Sequence, residues 1–83
     1  MPTILKIFGW RLFFYSNENN EPIHIHCRKG NSECKFWINI EFFDITEDYS
    51  YNLTTADKRQ IRKIIFNHFE YIIEQWNEFT RRK

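Results

Sequence analysis

Glycine, proline and cysteine are each present only twice in this 83-residue chain. The two glycines, Gly9 and Gly30, each stand between runs rich in aromatic and β-branched residues, and there is no repeat or low-complexity tract. That excludes a linker-like or solenoid chain and makes each glycine a hairpin signal. Two cysteines, Cys27 and Cys34, match neither a secreted disulfide scaffold nor a zinc site of the Cys-x-x-Cys type. They are expected to be reduced thiols packed as small apolar groups. No apolar run approaches the roughly 20 residues that span a bilayer, and Met1-Pro-Thr-Ile-Leu-Lys is too short to read as a signal peptide. A cytoplasmic protein with no membrane association is the expectation. The net charge of +1 announces no global field for a polyanion.

What the chain does have is aromatic mass: nine Phe, four Tyr and three Trp. Such side chains bury a large area each, which partly offsets a length that leaves room for one domain only, residues 1–83. Charge is unevenly placed. Residues 1–53 carry five Lys/Arg against seven Asp/Glu, while residues 54–83 carry seven against four.

The run Thr3 to Phe8 turns near Gly9 into Arg11 to Ser16, where Leu12, Phe13, Phe14 and Tyr15 favour a strand. Residues 17–22, polar and ended by Pro22, read as a loop. From Ile23 the alternation is clean. Ile23, Ile25 and Cys27 point one way, and His24, His26 and Arg28 the other; then Cys34, Phe36, Ile38 and Ile40 form an apolar row against Glu33, Lys35, Trp37 and Asn39. A two-residue turn on Gly30-Asn31 pairs Arg28 with Glu33, Cys27 with Cys34, His26 with Lys35 and His24 with Trp37. Residues 41–53 are less regular, with room for one short edge strand.

Ile61, Ile64, Ile65, Phe69, Ile72, Ile73, Trp76 and Phe79 recur at spacings of three and four, the signature of one buried helix face. Thr54 or Thr55 is the expected N-cap. The stripe passes Asn67-His68 without a phase shift, so it predicts one long helix or two segments bent there. The fold class is α+β: an antiparallel β-meander of four to five strands packed on one face by this C-terminal helix, a two-layer sandwich. The opposite sheet face is expected to be left to solvent.

On that opposite face, His24 and His26 lie two apart on one strand, roughly 7 Å from each other. Lys35 and Trp37 are their cross-strand neighbours, and Arg11, Phe13 and Tyr15 join from the second strand. Two imidazoles beside a lysine could cleave RNA: one takes the 2′-hydroxyl proton, the other protonates the leaving oxygen, and Lys35 stabilises the phosphorane. His24, His26 and Lys35 are therefore the catalytic candidates, and Arg11, Tyr15, Arg28 and Trp37 the RNA-binding ones. Against this stands the simpler reading of a solvated face or a partner contact. For a metal the pair supplies two ligands, with Glu33 or Glu21 only loosely placed as a third, so no metal or cofactor is assigned. Lys58, Arg59, Arg62 and Lys63 read as the wet side of the helix, or as an extension of a phosphate-binding surface.

Met1-Pro-Thr-Ile-Leu, Phe13-Phe14-Tyr15-Ser16-Asn17, Asn20-Glu21-Pro22-Ile23-His24-Ile25-His26, Lys35-Phe36-Trp37 and Trp76-Asn77-Glu78-Phe79 together resemble the small bacterial family called domain of unknown function 4160. The resemblance covers nearly the whole chain. It implies a toxin-like member of a toxin–antitoxin-type pair, silenced by a small antitoxin-like protein, but supplies no mechanism; RNA binding or metal-independent RNA cleavage, as by a ribonuclease, is the expectation from the His/Lys/aromatic face alone. The alternative is a non-enzymatic protein-interaction or regulatory module binding a small cognate partner; a homo-oligomer is compatible with either. Cys27 and Cys34 depart from the family's small or aliphatic residues at those places, which counts against a cysteine-dependent activity.

Overall fold

In the computed structural model the described residues are 3–15 and 21–81. They form five strands, β1 (Thr3–Ile7), β2 (Trp10–Phe13), β3 (His24–Lys29), β4 (Ser32–Asn39) and β5 (Asp44–Tyr51), then two helices, α1 (Thr55–Asn67) and α2 (Phe69–Arg81). The sheet is an antiparallel meander in the order β1-β2-β3-β4-β5. Of the loop expected over residues 17–22, only Glu21 and Pro22 fall within the described residues.

Tight turns set the registers. Phe8 and Gly9 both have positive φ, 53° and 84°, as a two-residue turn between right-twisted strands requires. Gly30, at φ 60°, makes the same reversal between β3 and β4. The β3–β4 register follows: Arg28↔Glu33, Cys27↔Cys34, His26↔Lys35 and His24↔Trp37. These are the pairs expected from the sequence. β5 runs for eight residues, longer than the short edge strand expected, because only Ile45 on it is buried and an edge strand shows no two-faced alternation. Ile40, expected in the apolar row of β4, lies past the strand end and is exposed.

One sheet face carries Trp10, Leu12, Phe14, Ile25, Cys27, Cys34, Phe36, Ile38 and Ile45 against Ile61, Ile64, Ile65, Phe69, Ile72 and Trp76 of the helices. Directional bonds hold the layers in place: Trp10 Nε1 donates to Gln60 Oε1 at 3.0 Å, and the Tyr71 hydroxyl donates to the Ile4 carbonyl at 2.9 Å. Thr54 caps α1 through a reciprocal box with Asp57. The helical stripe is split at His68. Its ring Nδ1 bonds the Ile64 carbonyl at 2.9 Å while its own carbonyl accepts from the Ile72 N–H, ending one helix and starting the next.

The far face is not left to solvent at its centre, which corrects the sequence expectation. Phe13, His24, His26 and Lys35 are all buried there. The two cysteines are free and buried beneath the helices. Burial first, and then the neighbouring Cys34, push the Cys27 thiol well above its ordinary value.

A raised folded-state value means that the folded protein holds this proton more tightly than the unfolded chain. The associated stability is present below the unfolded thiol value and lost as pH climbs through the folded one. Native protein should therefore resist iodoacetamide at neutral pH, both thiols reacting only on unfolding, and should lose urea resistance in the alkaline range. Rapid modification of the native protein would contradict this packing.

Candidate functional site

The outer sheet face divides into a packed centre and a wet, cationic end. At the centre, His24 is 0%, His26 3% and Lys35 8% exposed. His26 stacks on Phe13 with centroids 5.5 Å apart and meets Tyr15 edge-on at 4.6 Å. His24 lies edge-on to His26 at 5.1 Å, Trp37 at 5.3 Å and Trp76 at 5.0 Å. Its Nδ1–H donates to the Pro22 carbonyl at 2.8 Å. Both imidazoles and the lysine therefore share one face, as alternation predicts, but packed neighbours rather than an open concavity surround them.

Lys35 is held from three sides. Its Nζ lies 3.1 Å from Glu21 Oε1, 3.5 Å from Asp48 Oδ2 and 4.2 Å from the centroid of the Trp37 ring. Asp48 is the extra residue of a bulge: Lys35 pairs with Tyr49 and Phe36 with Glu47, so β5 carries one more residue than β4 at that point. An ammonium so placed has its charge balanced by two carboxylates and an aromatic face. Trp37 and Tyr15 are half-buried, and Tyr15 donates its hydroxyl to Glu33 at 3.4 Å. Among the described residues no three of His, Cys, Asp or Glu converge as a metal cage.

The wet end gathers the other candidates. Registers Lys6↔Arg11 and Arg11↔Arg28 put three cations side by side across β1, β2 and β3. Like charges directly opposite on paired strands are destabilising, so this row is an electrostatic cost that an anion would relieve. Arg11 is already oriented: its Nε donates to Thr3 Oγ1 at 2.7 Å and its guanidinium lies 4.6 Å from the centroid of the Phe13 ring. Arg28 pairs in register with Glu33, but that carboxylate takes hydrogen bonds from Tyr15 and, at 3.1 Å, from Tyr49. An open cleft of about 510 Å³ runs along the row, lined by Lys6, Arg11 and Arg28 with Phe8 and the two glycine turns and, among the described residues, without a carboxylate. Phe8 is 68% exposed at its rim, in a left-handed conformation that a bulky residue rarely adopts.

Arg11 and Arg28 are thus brought together, while Tyr15 and Trp37 are committed to the packed centre. Lys6 and Phe8 were missed by sequence reasoning. The signal for Lys6 was there, since the turn at Gly9 places it opposite Arg11.

Breaking the buried ion cluster should be costly. Lys35→Ala is expected to lose about 1–3 kcal/mol, less than a fully buried pair because both carboxylates keep contact with water. Urea denaturation measures it. A change within about 0.5 kcal/mol, the range of ordinary surface substitutions, would mean that the cluster does not form.

Among the described residues, no helix is long and apolar enough to cross a membrane. No curated protein and no solved structure matches this chain. The family profile for a domain of unknown function (DUF4160) matches residues 9–77, a span that takes in β2 to β5 and most of both helices, and the chain belongs to that family.

Proposed function

We propose that this protein binds single-stranded RNA without cleaving it, holding the phosphate backbone along Lys6, Arg11 and Arg28 and stacking a base on Phe8. The observation that carries this reading is the row of three cations on neighbouring strands, opening into a cleft that no carboxylate lines among the described residues. Cations in register with an exposed aromatic at the rim suit a polyanion whose bases have π-faces. The strain at Phe8 adds support, because an unfavourable backbone conformation retained by an exposed aromatic points to a use for that ring.

In this reading His24, His26 and Lys35 form the packed floor beside the cationic row, and none acts as acid, base or phosphorane stabiliser. The protein would work in the cytoplasm, where reduced thiols such as Cys27 and Cys34 persist. A small antitoxin-like protein would silence it by covering the same row.

Binding of a fluorescent single-stranded oligonucleotide should weaken uniformly across sequences in Arg11→Ala and Arg28→Ala. The slope of log affinity against log salt should fall by about 0.7 for each cation removed. Unchanged affinity would dismiss the site, and cleavage of the oligonucleotide by purified wild type would dismiss the non-catalytic reading. Phe8→Asn should raise stability by about 1 kcal/mol by relieving the left-handed strain. The same variant should weaken RNA binding by about 1–3 kcal/mol through the lost stack. Equal RNA affinity in that variant would remove Phe8 from the interface.

A further inference from the structure

The solvent-facing stripe along the two helices changes sign at their junction. On α1 it presents Arg59 with Arg62 and Lys63 three and four residues on; on α2, Glu70, Glu74 and Glu78 at steps of four, all exposed. Among the described residues, Arg59, Arg62, Lys63, Glu70 and Glu74 make no ion pair, and Glu78 pairs with Arg81 at 2.9 Å. Among the described residues, Arg59, Arg62, Lys63, Glu70 and Glu74 of the stripe are therefore not neutralised.

Between its halves lies an apolar centre. Phe43, 57% exposed, packs at 4.5 Å from Phe69 and 5.6 Å from Phe66. Phe66 is itself half-buried, with the Arg62 guanidinium 5.9 Å from its ring. Tyr71 is 40% exposed on the other side, across a cleft of about 350 Å³ at the helix junction. Phe42, next in the chain, is 73% exposed. Exposed aromatics grouped in this way, with charge on both flanks, have the layout of an interface: a dehydrated centre and a polar rim.

We infer that this stripe is the interface of a homodimer, in which a second copy of the chain docks antiparallel about a twofold axis near His68. A twofold interface must be self-complementary, since the same patch meets itself reversed. A cationic half and an anionic half on either side of an apolar centre satisfy that requirement: α1 of each copy faces α2 of the other, and both contacts attract. A patch of one sign would repel its own copy. The row of Lys6, Arg11 and Arg28 sits on the sheet face away from the helices and stays open in the dimer, so this inference and the RNA-binding reading stand or fall separately.

The test is sedimentation equilibrium of the full chain and two charge-reversed forms. Wild type should sediment at twice its 10.4 kDa chain mass, with dissociation promoted by salt. The triple variant Arg59→Glu, Arg62→Glu, Lys63→Glu and the double variant Glu70→Lys, Glu74→Lys should each dissociate at least about tenfold more readily, since like charges then face each other. Mixing the two variants should restore a dimer, because each reversed helix now meets its opposite. That recovery separates an interface from a folding defect, which mixing cannot repair. Monomeric wild type at every accessible concentration, or variants that fail to recover on mixing, would overturn the inference. A monomer that captures a different protein through this stripe would overturn it equally.

Discussion

The pairing of His26 with Lys35 across β3 and β4 governs both faces of the sheet. Side chains alternate along a strand, so a slip of one residue would drive Lys35 under the helices and turn Cys34 and Phe36 outward. The reversal at Gly30 prevents that slip by closing the hairpin on a two-residue turn. With the register held, Lys35 emerges on the outer face, and the bulge at Asp48 and the carboxylate of Glu21 bring the counter-charges that a buried ammonium needs. The imidazoles then pack on Phe13, Tyr15, Trp37 and Trp76. A second, smaller packed layer results on the outer sheet face, closed at the His24 edge by Trp76 of α2.

That second layer explains why the outer face is polarised from end to end. Aromatics and histidines fill its middle, so the charge that has no ion-pair partner among the described residues lies where the β1–β2 and β3–β4 turns end. There the hairpins bring Lys6, Arg11 and Arg28 together although they are far apart in sequence. Repulsion along this row, and the left-handed backbone of Phe8, are both unfavourable locally, and the packed centre beside them is what can sustain them. The proposed RNA contact uses both features. On the opposite side the helix layer contributes its own unsatisfied pattern, a stripe whose two signs answer one another only between copies.

Several elements could be read in the chain before any coordinates. The meander, the β3–β4 register and the helical stripe follow from local chemistry, namely period-two alternation, glycine turns and spacings of three and four, while the cap was narrowed only to Thr54 or Thr55 and the helix only to one long segment or two bent at Asn67-His68. The long β5 strand was not legible because an edge strand with one buried residue, Ile45, carries no two-faced pattern. Lys6 and Phe8 escaped notice because a charge flanked by apolar residues and an aromatic before a glycine are each unremarkable alone. Their meaning lies in the neighbours that the turn brings to them.

The shared direction of His24, His26 and Lys35 belongs to the sequence, since alternation along a strand depends on backbone geometry alone. Their burial belongs to the tertiary structure. Whether an outward-facing side chain meets water depends on what other segments lay over it, here Glu21, Tyr15, Trp37 and Trp76 of α2. Periodicity assigns a face to each residue; only the packing of distant segments decides whether that face is covered, and here it covers His24, His26 and Lys35 while Lys6, Arg11 and Arg28 beside them stay accessible.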